Sequence, residues 1–466
     1  MADIIVCGGS MIGLCTAMLL ARDGHDVTVV ERDPAEVPDS WDAAWSSWER
    51  VGVPQFHQPH NLFPRYRKIL EEELPDVFDA LVENGGTWVN PLANLPPFMT
   101  DREPRPDDDK FRFVTGRRPM LEYVHARAAE SEPGVTVRRG VKVQGFATSP
   151  NGDGTARVVG VDTDDGTLRA DLVIDAMGRR SPAVEWFDAL GTRPPIVQSD
   201  DGGYTYYTQY FTGELPAGLG APLVAIGSFM VLTIYGDNST WSLTLWAPSG
   251  DRPLKQFRDR EKFARVVRAC PMHAHWLDGE PITDVLPMAG ILDKYRRFVI
   301  DGQPVATGYA AVGDAWACTN PSAGRGLSIG LMHAQRLRDV VRSSLDDPLG
   351  FALEWDAVTE AEVAPWYWNQ LATDRARLAE MEAVREGRAA AVNNVAPLPP
   401  DFVHAGLAAP FDADVFRGVL ETIGCLALPH EVFGRPGMWG KVEAATPDEP
   451  FQMPGPNRDE LLALLA

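Results

Sequence analysis

Residues 1–31 alternate between two apolar strand patterns and one helical pattern. An apolar run from Ile4 to Cys7 stops at a glycine, and apolar side chains then recur at helical spacing from Leu14 to Ala21. A second apolar run, from Val27 to Val30, ends at Glu31. A strand, a helix and a strand in this order predict a βαβ unit that begins at residue 3.

The pattern changes twice along the rest of the chain. Strand-like runs at 156–161 and 168–174 flank a turn, and residues 204–248 carry long aromatic and β-branched runs that indicate antiparallel strands. An apolar strand at 306–312 and a helix from about 326 to 343 restore the α/β pattern, so the first domain is predicted to be discontinuous. Beyond residue 346 the pattern is helical to about residue 393, and a closing helix spans Arg458 to Leu465.

The composition excludes several classes of protein. With 466 residues, 45% of them hydrophobic, the chain is expected to form roughly two to four domains and not to be disordered. Its net charge of −22 opposes binding to nucleic acid and to anionic membranes. The five cysteines include no C-x-x-C pair, which argues against a disulfide framework and against a zinc site.

The start of the chain shows no secretory signal, since residues 1–6 lack a basic segment and a cleavage site. The most apolar later window, 221–236, is interrupted by glycines and polar residues and suits a buried strand better than a membrane span. We therefore expect a cytoplasmic protein in a reducing compartment, with no integral membrane association.

The turn after the first strand has the composition of a dinucleotide-binding loop. It reads Gly8-Gly9-Ser10-Met11-Ile12-Gly13, in which the first glycine permits a tight turn and the last permits close packing of the helix. The helix N-terminus attracts the oxygens of a pyrophosphate. Ser10 replaces the glycine that is usual at the middle position. Glu31, eighteen residues after Gly13, places a carboxylate where ribose hydroxyls can donate to it.

Two later turns also follow predicted strands. Asp175-Ala-Met-Gly178 follows the run at 168–174, and on its own it is an ordinary turn. The segment from Gly313 to Gly330 begins with Asp314, passes through a proline and glycine loop, and enters a helix. It offers a carboxylate for polyol hydroxyls and a positive helix terminus for the pyrimidine end of a flavin.

Taken in order, these three segments resemble the FAD-dependent monooxygenases of the para-hydroxybenzoate hydroxylase superfamily. The stretch from Gly52 to Leu62, followed by Leu74-Pro75, is further similar to the geranylgeranyl-reductase-like and polyether-epoxidase branch. The resemblance covers about residues 3–345 and implies an α/β fold. Its expected parts are a Rossmann-like FAD-binding domain of the GR2 type at 1–85, 110–182 and 296–345, an inserted antiparallel-sheet substrate domain at 86–109 and 183–295, and a mostly helical C-terminal region at 346–466.

The resemblance also implies which residues contact FAD. The N-terminal loop and Glu31 would hold the ADP half, Asp314 would bind the ribityl chain, residues 324–327 would flank the flavin ring, and Arg118 would contact FAD from the start of a helix. The expected FAD-binding residues are Gly8, Gly9, Ser10, Met11, Ile12, Gly13, Glu31, Arg32, Arg118, Val143, Asp175, Gly178, Gly313, Asp314, Pro321, Gly324, Arg325, Gly326 and Leu327.

Such an enzyme would hydroxylate or epoxidise a small apolar or aromatic substrate, of the kind found in secondary metabolism, with O₂ through a flavin C4a-hydroperoxide. NAD(P)H would supply electrons directly or through a separate flavin reductase, because the Asp175 turn departs from the D-G form of hydroxylases that bind NAD(P)H themselves. Two alternatives stay open, a flavin-dependent reductase of isoprenoid double bonds and a non-catalytic or electron-carrying flavoprotein. Halogenation lacks its W-x-W-x-I-P signature.

His60 is the candidate catalytic residue, in a connection that this fold brings near the flavin edge. A neutral imidazole there could hydrogen-bond flavin or substrate, and its ordinary pKa of about 6.5 would let it change charge in the working pH range. His57 and His60 are also spaced for a metal site, but a backbone-bonded loop histidine is the favoured interpretation, and no metal is expected.

Aromatic residues of the antiparallel region, such as Tyr206 and Trp246, could line a pocket or the core.

Overall fold

Strands and helices alternate through most of the chain. The computed structural model describes residues 1–150, 155–218, 221–388, 400–448 and 453–466. The strands are β1 (Asp3–Cys7), β2 (Asp26–Glu31), β3 (Pro59–Leu62), β4 (Thr87–Val89), β5 (Phe113–Arg117), β6 (Val135–Arg139), β7 (Val143–Pro150), β8 (Ala156–Thr163), β9 (Gly166–Arg169), β10 (Leu172–Asp175), β11 (Ile196–Asp201), β12 (Tyr204–Thr212), β13 (Leu223–Ile226), β14 (Phe229–Tyr235), β15 (Thr240–Pro248), β16 (Glu280–Pro281), β17 (Leu286–Met288), β18 (Leu292–Arg297), β19 (Val299–Ile300), β20 (Gln303–Pro304), β21 (Ala306–Thr307), β22 (Tyr309–Ala311) and β23 (Ala317–Cys318). The helices are α1 (Met11–Arg22), α2 (Trp41–Ser47), α3 (Pro64–Glu73), α4 (Pro75–Glu83), α5 (Arg118–Ser131), α6 (Ala183–Ala189), α7 (Arg260–Arg268), α8 (Gly326–Ser344), α9 (Pro348–Val358), α10 (Ala364–Arg385), α11 (Pro400–Ala408), α12 (Ala413–Ile423), α13 (Pro429–Phe433), α14 (Met438–Ala445) and α15 (Arg458–Leu465).

The predicted N-terminal βαβ unit is confirmed, and it forms the centre of a parallel sheet. The strand order is β22-β10-β1-β2-β6, and all neighbours run parallel. The apolar run of β1 is buried, because the sheet packs with α1, α5 and α8 in the largest apolar cluster of the molecule. The carboxyl ends of β1, β2, β10 and β22 therefore meet at one edge, where each predicted cofactor segment follows its strand.

Two predicted strands are each divided between two sheets. Residues 168–174 form β9 and β10, and residues 306–312 form β21 and β22. Gly308, between β21 and β22, has a φ of +70°, and a Cβ atom there would overlap the carbonyl oxygen of Val158 in β8. The single strand predicted for 306–312 is therefore wrong, since the chain bends at a glycine where two sheets meet.

The aromatic and β-branched runs form the predicted antiparallel sheet. Its strand order is β13-β14-β15-β12-β16, with β17 beside β12. The apolar run 223–235 reverses at Gly227 and Ser228, so it makes a hairpin rather than one strand. The outward face of the sheet packs against α7 and α15 in a separate apolar cluster. The closing helix α15 has the predicted bounds, and its Leu461 and Leu465 complete this cluster.

A small antiparallel sheet, β3-β5-β4, connects the two larger layers. β5 ends at Arg117, and α5 begins at once with Arg118 followed by a proline, a residue that suits the first helical turn. In the ladder between β3 and β5, His60 pairs with Gly116. This pairing brings His60 to the end of β5 from which α5 starts.

The C-terminal region is mainly helical, as predicted. A π-helical segment, Thr359–Val363, joins α9 to α10, and α11 to α14 surround a small apolar cluster of their own. The predicted helix end near residue 393 lies outside the described residues. The domain boundaries stay a prediction. No helix within the described ranges combines the length and apolar character needed to cross a membrane.

Candidate functional site

The loop between β1 and α1 leaves the N-terminus of the helix available to an anion. Gly8 has a φ of +115°, and a Cβ atom there would lie 2.5 Å from the Ala176 carbonyl oxygen. Ser10 precedes the helix, but its hydroxyl does not cap it, and the first turn carries no acidic residue. Because the first N–H groups of a helix have no partner within the helix, an uncapped glycine cradle fits a pyrophosphate.

Arg118 is the residue on which the predicted motifs converge. Its Nη2 donates to Ser10 Oγ at 2.9 Å, and its Nε donates to Glu122 Oε1 at 2.8 Å. Its positive charge also lowers the pKa of His60 and opposes the rise that burial causes in the pKa of Asp314. The α1 loop and the start of α5 therefore meet at one guanidinium group whose side chain is 4% exposed. The Gly313 turn lies beside α1, since a Cβ atom built at Gly313 would stand 3.3 Å from Ile12 Cγ2.

Glu122 holds the site's two arginines together. It accepts a hydrogen bond from Ser10 Oγ at 2.6 Å, and its other oxygen lies 3.5 Å from Arg50 Nη1. Burial raises the pKa of Glu122, but the charges of Arg118 and Arg50 outweigh burial and hold that pKa at about 2. Glu122 is therefore ionised at neutral pH and fixes both guanidinium groups beside the α1 loop.

Glu31 ends β2 at the predicted position. Its Oε2 accepts the Gly9 N–H and an Arg50 N–H, both at 2.9 Å, and its Oε1 accepts the Asp33 N–H at 2.9 Å. These bonds fix the carboxylate next to the glycine loop. Oε2 already accepts two hydrogen bonds and Oε1 only one, so Glu31 can still accept a ribose hydroxyl at Oε1.

His333 holds the turn that carries Asp314. The Gly313 N–H donates to His333 Nδ1 at 3.1 Å, and His333 Nε2–H donates to Thr359 Oγ1 at 3.1 Å. Burial lowers the pKa of His333 to about 3, so the imidazole keeps this neutral form. Burial also raises the pKa of Asp314, against the effects of a hydrogen bond from the Cys318 thiol and of nearby arginines. The turn presents a half-buried carboxylate just after the end of β22.

The proline and glycine loop leads into α8, as predicted. Gly324 adopts a φ of +67°, and α8 then begins without a side-chain cap or an acidic first turn. Leu327 is buried and Pro321 is exposed. Arg325 donates to Gln370 Oε1 of α10 at 2.9 Å. α10 therefore packs against the loop that was predicted to flank the flavin ring.

His60 has a fixed neutral form. Its Nδ1–H donates to the Gln58 carbonyl oxygen at 2.8 Å, which leaves Nε2 as a hydrogen-bond acceptor. Burial and then the charge of Arg118 lower the pKa of His60 to about 3. The expected change of charge in the working pH range is therefore wrong, because the imidazole is buried beside a cation. His57 is exposed and packs edge-on against Trp45.

The alanine variant His60→Ala is expected to keep its FAD but to turn over substrate about 2–10-fold more slowly, since it loses one neutral acceptor, Nε2. The ratio of the variant's turnover rate to that of the unaltered protein should stay constant from pH 6 to pH 8, because His60 does not titrate there. Bound FAD, melting temperature and substrate-dependent oxygen consumption are measured on one preparation. His57→Ala is the control, with a milder effect. Full activity at full FAD occupancy would exclude His60 from the chemistry.

The Asp175 carboxylate forms its hydrogen bonds with its own turn and with the neighbouring strand β22. Its carboxylate accepts hydrogen bonds from Ser181 Oγ, from the Met177 N–H at 2.9 Å and from Tyr309 OH at 3.1 Å. Gly178, in the same turn, has a φ of +74° and open space where a Cβ atom would stand. The turn is thus stabilised from within, and contact of Asp175 or Gly178 with FAD stays a prediction.

The structure places Val143 at the start of β7 and Arg32 directly after β2. Val143 begins β7 and pairs with Thr163, whereas Val141 supplies the N–H that bonds the Glu31 carbonyl oxygen at 3.1 Å. The side chain of Arg32 is exposed. Their contact with FAD also stays a prediction.

Sequence reasoning missed two charged residues of the site. Glu122 follows Arg118 by four residues, and this helical spacing was the available signal. Arg50 lies in an irregular segment, and no local pattern marks it. Its side chain is fully buried against Glu31, which becomes visible only when distant segments are brought together.

The antiparallel sheet turns a polar face toward the FAD-binding layer. On β12, alternate side chains point away from the apolar cluster. Thr208 Oγ1 donates to Gln58 Oε1 at 3.1 Å and lies 2.8 Å from Thr244 Oγ1. Tyr206 OH donates to Asn320 Oδ1. A buried face rich in hydroxyl groups therefore contacts both the His60 segment and the loop before α8.

No protein-family model matches the chain. Protein Rv3254 of Mycobacterium tuberculosis is 26% identical over 397 residues, or 79% of this chain and 79% of that protein. PqsL, a probable FAD-dependent monooxygenase from Pseudomonas aeruginosa, is 18% identical with a TM-score of 0.60, over 82% of this chain and 97% of that chain. A triple mutant of the flavin-dependent brominase Bmp2 is 14% identical with a TM-score of 0.60, over 95% of this chain and 100% of that chain. OxyS, an anhydrotetracycline hydroxylase from Streptomyces rimosus, is 16% identical with a TM-score of 0.54, over 92% of this chain and 76% of that chain. The chain therefore has the fold of FAD-dependent monooxygenases and flavin-dependent halogenases.

Proposed function

We propose that this protein is an FAD-dependent monooxygenase that hydroxylates or epoxidises a small organic substrate. The observation that carries the proposal is that the uncapped α1 N-terminus lies against both Arg118 and the turn that carries Asp314. A glycine cradle, a helix N-terminus and an arginine suit a pyrophosphate. The fold shared with PqsL supports the same assignment. The stretch from Gly52 to Leu62 favours the geranylgeranyl-reductase-like and polyether-epoxidase branch.

The chain's own residues would bind and orient the cofactor. The pyrophosphate would accept hydrogen bonds from the first N–H groups of α1 and from Arg118, whose Nη1 bonds to no residue that the structure describes. Glu31 would accept from the ribose and Asp314 from the ribityl chain, and the N-terminus of α8 would face the pyrimidine end. Bound FAD, once reduced, would supply the reaction with dioxygen.

The polar inward face of the antiparallel sheet favours an aromatic or oxygenated substrate over an isoprenoid hydrocarbon. Thr208 and Thr244 are at most 1% exposed, and the hydroxyl of buried Tyr210 has no partner among the described residues. Thr208 already bonds to Gln58 and to Thr244, but an apolar ligand would leave the Tyr210 hydroxyl unsatisfied, which costs free energy. We therefore place monooxygenation ahead of the reduction of isoprenoid double bonds. NAD(P)H would provide electrons, directly or through a flavin reductase.

The protein is expected to purify with one FAD per chain, because the site for the pyrophosphate is built before the cofactor binds.

Anaerobic mixing with NADH or NADPH tests whether the nicotinamide reduces the flavin without a reductase. After reduction, admission of ¹⁸O₂ should give rapid reoxidation and should place one labelled oxygen atom in the product. Slow reoxidation would favour the reductase or the electron-carrying alternative, and a folded chain that takes up no added FAD would refute the proposal.

A further inference from the structure

Three buried polar atoms in one group of side chains have no hydrogen-bond partner among the described residues. They are Asp293 Oδ2, Asn320 Nδ2 and Trp246 Nε1, and the three residues are at most 1% exposed. Asp293 Oδ1 accepts the Asn320 N–H at 2.5 Å. Tyr206 connects the other two, since its OH donates to Asn320 and its ring stacks on Trp246 at 5.3 Å between centroids. The three atoms therefore belong to one continuous group, named here the Asn320 cluster.

The Asn320 cluster lies between the antiparallel sheet and the loop that leads into α8. Asn320 immediately precedes the first turn of that loop. β18, which carries Asp293 near its start, pairs with β23 just before the loop. Tyr206 and Trp246 are partners across β12 and β15 on the inward face of the sheet. The cluster thus lies between the inward face of the sheet and the loop that leads into α8.

Unpaired buried polar atoms are costly and uncommon in native proteins. Three of them in one cluster therefore mark a place that a polar ligand completes. Burial raises the pKa of Asp293 to about 7, with Asp374 and Asp200 acting in the same direction and Arg375 against them. At pH 8 the Asp293 carboxylate is mainly ionised and acts as an acceptor.

We propose that Asp293, Asn320 and Trp246 form a subsite for the polar end of the substrate, and that this end carries both a hydroxyl and a carbonyl group. The hydroxyl donates to Asp293 Oδ2, and the carbonyl accepts from Asn320 Nδ2 and Trp246 Nε1. This assignment rests on the proposed function, since it names the substrate class of the same site. One acceptor and two donors match a hydroxyaryl ketone and do not match a hydrocarbon olefin.

The probes are the 2-, 3- and 4-hydroxyacetophenones and their methyl ethers, which keep the carbonyl but cannot donate. Dissociation constants are measured at pH 8 by equilibrium dialysis and by the shift of the bound FAD spectrum. At least one hydroxy probe should bind about tenfold more tightly than its methyl ether, the factor expected for a hydrogen bond to a charged acceptor. Asp293→Asn retains an oxygen for the Asn320 N–H but should abolish this preference. Equal binding of all three pairs would overturn the proposal.

Two tryptophans of β15 supply a matched comparison. Trp246→Phe and Trp241→Phe remove the same atoms, but only Trp241 Nε1 has a partner, the Trp276 carbonyl oxygen at 2.9 Å. Trp246→Phe should weaken probe binding about 2–10-fold, whereas Trp241→Phe should lower the melting temperature more and leave probe binding unchanged. The reverse pattern, or no effect of Trp246→Phe, would mean that the unpaired atoms hold water only and would overturn the proposal. A chain without FAD would instead refute the proposed function.

Discussion

Replacing Arg118 with alanine is expected to weaken FAD binding by roughly 10–150-fold, or about 1.5–3 kcal/mol, which is the range for losing a hydrogen bond to a charged group. The same change should lower the free energy of unfolding by about 3–5 kcal/mol, because Glu122 would remain as a buried carboxylate with one of its two guanidinium partners gone. FAD affinity is measured by titration of the apo-protein, and unfolding by circular dichroism.

A double variant separates these two effects. In Arg118→Met with Glu122→Gln, the buried charges are removed together, and Gln can still accept a hydrogen bond from Ser10. Neutral replacement of a buried ion pair is often tolerated, so stability should recover. FAD affinity should stay low, because the Arg118 guanidinium group no longer donates to the pyrophosphate. Recovery of both properties would contradict a role of Arg118 in binding and would leave it as a structural residue.

The parts of the fold that the sequence predicted well are those encoded by short, uninterrupted patterns. β1, α1 and β2 follow directly from apolar periodicity, and the cap residue Asn457 with Glu460 defines α15 at its predicted start. The errors occurred where one apolar run serves two elements. The runs at 306–312 and 223–235 are mainly apolar on both sides of their glycines, and a close contact at Gly308 and a hairpin at Gly227 divide them.

The candidate site shows the same division between local and long-range information. Gly8, Gly13 and Glu31 are placed by one βαβ unit, so their spacing was sufficient to predict their neighbourhood. The ionisation of His60 was predicted wrongly because it depends on burial and on Arg118, which lies in a different element. The Asn320 cluster joins β12, β15, β18 and the loop before α8, so no local pattern could have indicated it.

The acidic chain also has to attract a dianionic cofactor. A net charge of −22 opposes this at long range. The buried charges beside the α1 loop do not reverse that sign, because Arg50 and Arg118 are paired with Glu31, Asp33 and Glu122. The geometry consequently favours binding through directed hydrogen bonds from Arg118 and the α1 terminus over attraction by the protein as a whole.

The change Gly13→Ala is expected to abolish FAD binding and to destabilise the fold by about 1–3 kcal/mol or more, the cost of inserting a methyl group into a packed core. A Cβ atom at Gly13 would overlap the Gly8 carbonyl oxygen and would lie 3.2 Å from the Ala176 Cβ atom. Because the overlapped atom belongs to the backbone, α1 and its loop must separate, and the N–H groups that would bind the pyrophosphate move with them. FAD titration and thermal unfolding check both effects.

Gly440→Ala is the matched control for this change. Gly440 also lies in a helix, α14, but it is exposed and no heavy atom comes within 4 Å of a Cβ atom built there. Alanine should therefore stabilise α14 by roughly 0.5–1 kcal/mol through its higher helix propensity and should leave FAD binding unchanged. If Gly13→Ala behaved like Gly440→Ala, with full FAD occupancy and no loss of melting temperature, the close approach of α1 to its own loop would not be required for cofactor binding.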